Sequence, residues 1–306
     1  MKKSEPYPIL QIPKDAHDIS EPLGTKSKFW YENEKYLFKI GRPGTGENWA
    51  EIVASEFENL LKLPCVKYEF ASYEGEMGVT CPNFVPKGGR LVHGNELLAQ
   101  IDETYPVSQF YGAKPYTITA VINAIEQEKA EIPLLSNPLQ DIKSGADVFI
   151  GYLLLDTWIA NQDRHDQNWG IIYIEGNPSA YLTPTFDHAS SLGRNESDVR
   201  RKELLESKDI KRNIENYIQK ARSPFYNCNE PPKRLKTIDA SLEAALIKPK
   251  AALRWLSQLS NIRDIDMVDI MHRVPKSEIS KEGIDFAIAI LKLNRKRLLE
   301  LRGGLK

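Results

Sequence analysis

The 306-residue chain carries 41 Lys and Arg against 42 Asp and Glu, so its net charge of −1 leaves no surplus for a polyanion partner. A hydrophobic share of 41% suffices for one large domain or two lobes. Three scattered cysteines (Cys65, Cys81, Cys228) without a Cys-x-x-Cys pair argue against a disulfide scaffold or zinc site and for a reducing, cytoplasmic compartment.

The N-terminus, Met1-Lys2-Lys3-Ser4-Glu5-Pro6, has no apolar stretch of the kind a secretory signal needs. Pro8 to Ile12 reads as a short edge strand bracketed by prolines, and Asp18 to Ser27 as a polar loop with one glycine. Lys28–Glu32 and Lys35–Ile40 form a hairpin around Asn33. In its second strand Tyr36, Phe38 and Ile40 share one face, and Leu37 and Lys39 the other. Gly41 to Asn48 is a flexible connector without the Gly-Lys-Ser/Thr ending of a P-loop. Asn48 is placed to cap a helix over Trp49–Leu63, with Glu51 three residues on, and Pro64 stops it. Val66–Tyr73 and Glu76–Cys81 make a second hairpin turning at Glu74-Gly75, and turn-rich residues from Cys81 to Gly89 mark a boundary.

The remainder is mainly helical, interrupted by strands at Trp169–Ile174 and Ala180–Phe186. Helices are expected near Asn95–Ile101, Thr117–Lys129, Asp147–Ala160, Asp198–Leu205, Ile210–Ala221, Leu242–Ile247, Lys250–Leu259, Asp264–His272 and Lys281–Leu301. The fold class is therefore α+β: a small β-rich lobe over residues 1–86 and a larger helical lobe over 87–306. The longest apolar run, Val148 to Leu155, lies between Asp147 and Asp156 and is too short for a membrane span. Basic residues on the last helix (Lys292, Arg295, Lys296, Arg297, Arg302) fit a solvated amphipathic face rather than a nucleic-acid patch.

One stretch stands apart. Trp158 to Trp169 turns from an apolar helix into a polar loop and then into a strand rich in β-branched residues. Asp163 and Asn168 lie five residues apart on that loop, and Asp187 follows a hairpin. A base and an amide at that spacing, with a second carboxylate beyond, suit phosphoryl transfer. Asp163 would orient an attacking hydroxyl, while Asn168 and Asp187 offer oxygen ligands to Mg²⁺. Lys39 would hold the phosphates, with Glu51 fixing its direction. Arg164 reads as a structural holder of the loop or of carboxylates. His165 reads first as a packed loop residue, and its ionisation near neutral pH keeps it in the nucleotide-contacting set. Trp158 and Trp169 read as core anchors.

The run Asn161-Gln162-Asp163-Arg164-His165-Asp166-Gln167-Asn168-Trp169-Gly170, followed by Phe186-Asp187-His188-Ala189-Ser190, resembles the HipA-like serine/threonine kinases, in particular their short, single-module members. The resemblance covers Leu23 to about Leu205. It implies a bilobal protein-kinase-like fold, ATP and Mg²⁺ as cofactors, and a protein substrate with a Ser or Thr acceptor. It implies Asp163 as base, Lys39 as the nucleotide lysine, and Cys81, Asn83 and Phe84 as the hinge that meets adenine. It also makes Ser20 to Ser27 a phosphate loop, with Gly24, Thr25, Lys26 and Lys28 near phosphate and Ser20, Thr25 or Ser27 as sites of autophosphorylation. Asp187 stands in Phe-Asp-His rather than Asp-Phe-Gly, which removes the usual activation-segment reasoning. Two other readings remain open. Phosphatidylinositol-type lipid kinases share the Asp-Arg-His-x-x-Asn loop, and a nucleotide-binding pseudokinase or toxin module could act through a small antitoxin-like partner. No element for direct nucleic-acid or membrane contact is legible.

Overall fold

A computed structural model describes residues 5–20, 27–109, 112–134, 136 and 139–305. The N-terminal lobe is a six-stranded sheet of β1 (Ile9–Gln11), β2 (His17–Ser20), β3 (Lys28–Tyr31), β4 (Tyr36–Ile40), β5 (Glu69–Tyr73) and β6 (Glu76–Pro82). Its order is β1-β5-β6-β4-β3-β2, with β1 parallel to β5 and every other pair antiparallel. The β5–β6 turn uses Glu74 and Gly75, both at positive φ (49° and 89°), as a tight primed hairpin turn requires. The alternation along β4 holds: Phe38 packs with Phe29, Tyr31 and Ala71 on one side of the sheet, while Leu37 joins the main core on the other.

Two local expectations fail in this lobe. Residues 18–20, read as loop, belong to β2, because main-chain pairing with the aromatic strand β3 sets their conformation. Helix α1 spans Glu47–Leu61, with Gly46 at its N-cap. Asn48 is thus inside the helix and caps nothing, and its side-chain amide donates to Glu278 Oε2 at 3.5 Å. Glu51 is consequently no part of a capping box, and another force must account for its burial.

The second lobe begins with β7 (Gly89–His93), a strand not anticipated from the sequence. It pairs antiparallel with β8 (Gly170–Ile174), which also carries β9 (Ala180–Leu182). Helices follow at α2 (Gly94–Ile101), α3 (Ile118–Gln127) and α4 (Gly145–Trp158). Beyond β9 come α5 (Asp198–Glu206), α6 (Ile214–Ile218), α7 (Thr237–Ile247), α8 (Pro249–Ser260), α9 (Asp264–His272) and α10 (Lys281–Glu300). A hairpin of β10 (Arg222–Tyr226) and β11 (Arg234–Lys236), also unanticipated, separates α6 from α7. Pro224 and short polar flanks hide its strand character, since proline is tolerated only at such sheet edges.

α4 is the axis of the lobe. It packs against α3, α7, α8 and α10, which explains why it is apolar all round rather than on one stripe. Trp158 at its end is fully buried, stacks edge-on against Phe57 of α1 at 5.2 Å, and donates its indole N–H to Leu291 O. Helix α1 also packs on β5 and β6 and on α8 and α9, so it belongs mechanically to both lobes.

Candidate active site

The loop after α4 is shaped before it is chemical. Asp156, on the last turn of α4, accepts Asn161 Nδ2 at 2.8 Å, and Asn161 Oδ1 accepts the Asp163 backbone N–H at 3.2 Å. Ala160 adopts φ 53°, a left-handed conformation that reverses the chain at a local steric cost. Arg164, 1% exposed, grips Asp156 through two parallel bonds, Nε to Oδ2 at 2.8 Å and Nη2 to Oδ1 at 2.9 Å. Its Nη1 donates to Asn168 O at 3.0 Å, closing the loop. Beneath it, Trp169 Nε1 donates to the Tyr116 hydroxyl, which donates in turn to Arg164 O at 2.9 Å.

This scaffold presents two side chains. Asp163 is partly exposed, and Ser190 Oγ donates to its Oδ2 at 3.4 Å. Asn168 donates Nδ2 to Asp163 O at 2.7 Å, which fixes the amide orientation and turns its Oδ1 into the outward acceptor. His165 stays within the loop: its Nδ1 accepts the Gln167 N–H at 3.2 Å, and its backbone N–H donates to Asp163 O at 2.8 Å.

Lys39 sits on β4 of the N-terminal sheet, 8% exposed. Its Nζ lies 3.9 Å from Asp187 Oδ2 and 3.5 Å from the Tyr68 hydroxyl. Burial by itself would lower the ammonium's pKa, but the Asp187 and Glu51 carboxylates outweigh it and hold Lys39 charged above the ordinary lysine range. Glu51, 2% exposed, accepts the His188 backbone N–H on Oε1 at 2.7 Å. Its burial is thus a tertiary requirement: the carboxylate neutralises Lys39 and anchors the residue after Asp187. Lys28 stands directly opposite Lys39 in the β3–β4 register, so both cations project from one sheet face.

Asp187 adopts φ 60°, a backbone that Asp tolerates better than most residues. Tyr68 fixes it by accepting its N–H at 3.3 Å. Burial, reinforced by Glu51, pushes the Tyr68 phenol far above the ordinary tyrosine range, so it stays a neutral hydrogen-bonding group. His188 Nε2 accepts from Arg164 Nη2 at 2.7 Å and lies 2.8 Å from Thr185 Oγ1, so its proton resides on Nδ1, which faces Glu58 Oε1 at 2.9 Å. Glu58 of α1 is fully buried and has no well-aligned hydrogen-bond donor among the described residues.

The expected adenine hinge is only partly open. Cys81 is inside β6, paired with Leu37, and burial raises its thiol to about 11. The Asn83 N–H is committed to Lys35 O at 2.7 Å, its Nδ2 to Glu34 O, and its Oδ1 to the Val85 N–H. Asn83 therefore ties the connection to the β3–β4 turn and offers no backbone donor to a base. Phe84 stacks on Phe186 with ring centroids 5.2 Å apart, which joins the inter-lobe connection to the residue before Asp187. Gly24, Thr25 and Lys26 lie outside the described residues.

Tyr68, Glu58, Asp156 and His188 were not singled out from sequence. Asp156 did carry a signal, a carboxylate ending an apolar helix. Tyr68 and Glu58 carried none, because their neighbours are distant in the chain. No group of three His, Cys, Asp or Glu side chains capable of holding a metal exists among the described residues. One carboxylate (Asp187) and one outward amide oxygen (Asn168) do fit Mg²⁺, which is held by few protein oxygens with phosphates and water completing its shell.

No family model matches the chain. Serine/threonine-protein kinase CtkA of Helicobacter pylori strain J99 is 24% identical over 194 residues, which span 61% of this chain and 55% of that relative. The crystal structure of the H. pylori proinflammatory kinase CtkA superposes with a TM-score of 0.70 at 20% identity, covering 97% of this chain and 98% of that one. The chain shares the fold of that kinase. HipA from a Shewanella oneidensis MR-1 toxin–antitoxin complex with HipB and operator DNA also superposes, with a TM-score of 0.58 at 10% identity over 95% of this chain and 68% of that one. With this fold, α1 is the helix shared between lobes, and the loop from Asn161 to Asn168 is tied through Arg164 Nη2 to His188, the residue after Asp187.

Proposed function

We propose that this protein is an ATP- and Mg²⁺-dependent serine/threonine protein kinase of HipA-like type that also phosphorylates itself. The observation that carries the reading is the buried Lys39, 3.9 Å from Asp187 and held charged by Asp187 and Glu51, with the Asp163–Asn168 loop bonded through Arg164 to His188, the residue after Asp187. Lys39, with Lys28 beside it, supplies fixed positive charge for the phosphates that are not transferred. Asp163 accepts the proton of the acceptor hydroxyl as that oxygen attacks phosphorus, and the leaving nucleotide departs with the bridging oxygen's electrons. Asn168 and Asp187 would hold the metal, which neutralises phosphate charge when bound. Ser190, whose Oγ donates to Asp163 Oδ2 at 3.4 Å, holds the place at that oxygen that an acceptor hydroxyl would take.

Support for a protein rather than lipid acceptor comes from the similarity to serine/threonine-protein kinase CtkA. The likeness to the HipA of a toxin–antitoxin complex extends the proposal to a small antitoxin-like protein partner, and the scattered free cysteines extend it to a cytoplasmic site of action. Incubation with ATP and Mg²⁺, followed by mass-spectrometric phosphosite mapping beside Asp163→Asn, tests the reading. Labelling should appear at Ser20, Thr25 or Ser27 or on an added protein, and fall by roughly 10²–10⁴ in the variant with nucleotide binding kept. Lipid labelling in mixed micelles without protein labelling would overturn it.

A further inference from the structure

The chain is almost neutral overall, but its charge is not evenly spread. From Lys208 to Lys236 there are eight Lys and Arg against three Asp and Glu, in a protein whose net charge is −1. Five of those cations, Lys220, Arg222, Lys233, Arg234 and Lys236, sit on or beside the β10–β11 hairpin.

The hairpin is fastened to the loop that bears Asp163. The Arg222 backbone N–H donates to Gln162 Oε1 at 3.1 Å, and Gln162 immediately precedes Asp163. Phe225 stacks on Tyr116 with centroids 4.2 Å apart, and Tyr116 is the residue whose hydroxyl supports Arg164 O. The Tyr226 N–H closes the attachment on Tyr116 O. The cations thus have a fixed place at the rim of the catalytic loop.

Their own contacts leave the charge uncompensated. Arg222 Nη1 donates to Arg234 O and Arg234 Nε to Ser223 O, both at 3.0 Å, so each guanidinium is braced by a carbonyl while its residue stays exposed. Arg222 and Lys236 stand directly opposite in the register, a like-charge pair that weakens a hairpin. None of the five forms an ion pair with a carboxylate among the described residues. A braced, unpaired cationic rim beside a catalytic carboxylate suits a ligand that brings its own negative charge.

We infer that the β10–β11 hairpin binds acidic residues flanking the acceptor Ser or Thr, so that the protein phosphorylates acidic segments of its substrates. This rests on the kinase reading above. A protein segment is favoured over nucleic acid because five cations cluster at one hairpin, and the chain outside residues 208–236, with 33 Lys and Arg against 39 Asp and Glu, gives a long polyanion nothing further to follow.

The test uses the full chain and Ser-containing peptides with three Glu before or after the acceptor, each matched by its Gln counterpart. Phosphorylation and fluorescence-polarisation binding are both read. At least one Glu peptide should exceed its Gln match about tenfold in kcat/KM at low salt, as several exposed pairs together allow, and the preference should shrink as salt rises. In Lys220→Gln/Lys233→Gln/Lys236→Gln the Glu-to-Gln ratio should fall towards one. A folding defect would lower both peptides together and leave the ratio intact. Equal phosphorylation of Glu and Gln peptides overturns the inference and leaves the kinase reading standing. Acidic-peptide binding that the triple variant loses, without phosphorylation of any peptide, keeps the hairpin site and removes the kinase reading. Tight binding of single-stranded RNA together with no preference between the peptides would assign the hairpin to nucleic acid and overturn the inference.

Discussion

Glu51 Oε1 accepts the backbone N–H of His188 at 2.7 Å, so helix α1 is fastened to the residue that follows Asp187. One carboxylate thereby does two jobs, since its charge also helps hold Lys39 ionised. The two jobs separate by substitution. Glu51→Gln keeps an acceptor for His188 but removes the charge, and Glu51→Ala removes both. We expect Glu51→Gln to lower kcat by roughly tenfold and Glu51→Ala by roughly 10²–10³, with a loss of thermal stability only in the second. Steady-state kinetics beside calorimetry decide it, and equal effects of both variants would contradict the double role.

Arg164 and Asp156 form a buried, two-pronged ion pair beneath the loop. Removing one partner leaves the other charge buried and uncompensated. Arg164→Ala and Asp156→Ala should each destabilise the protein by about 3–5 kcal/mol in urea unfolding, while the double variant should cost much less than their sum. Additive losses would mean that the pair contributes little coupling.

Lys39 is predicted to act as a fixed charge. Its ammonium is held above the ordinary value of 10.5, so its stabilising ion contact is complete below that value and is lost only as pH rises through the folded one. Activity should therefore show no lysine-dependent decline up to about pH 10. Lys39→Met should raise the KM for ATP and lower kcat, by roughly 10²-fold or more in kcat/KM. An alkaline limb in the wild-type profile that vanishes in Lys39→Met would refute this.

His93 couples pH to stability through the loop that bears Asp163 and Asn168. Its Nδ1 lies 3.0 Å from Gln167 O, joining β7 to the loop. Burial holds the imidazole below its ordinary 6.5, outweighing that hydrogen bond and the Glu96 carboxylate. The unfolded chain then takes up a proton that the folded chain resists. The stability this contributes is full above 6.5 and is lost as pH falls from there through the folded value. The urea midpoint should fall between roughly pH 7 and pH 5, and His93→Gln should flatten that slope. An unchanged slope in the variant would assign the effect elsewhere.

Much of the fold was legible because its signals are local. The β4 alternation, the Glu74-Gly75 turn and the long apolar run of α4 each identify an element from a few adjacent residues. Where the reading failed, distant partners decided. β2 is a strand because β3 lies beside it, β7 because β8 does, and α1 begins at Glu47 rather than at a cap on Asn48.

For the candidate site, the sequence by itself singled out Lys39, Glu51, Asp163, Asn168 and Asp187, in an order and at spacings expected of phosphoryl transfer. Loop-borne polar residues between apolar elements are conspicuous, so they could be found without coordinates. Only the tertiary structure decided what holds them. Tyr68 between Lys39 and Asp187, Arg164 between Asp156 and His188, and the Asn83 N–H turned towards Lys35 all depend on contacts across the chain. A buried charge is stable only beside its partner, and no pattern of neighbouring residues states which distant side chain that partner will be.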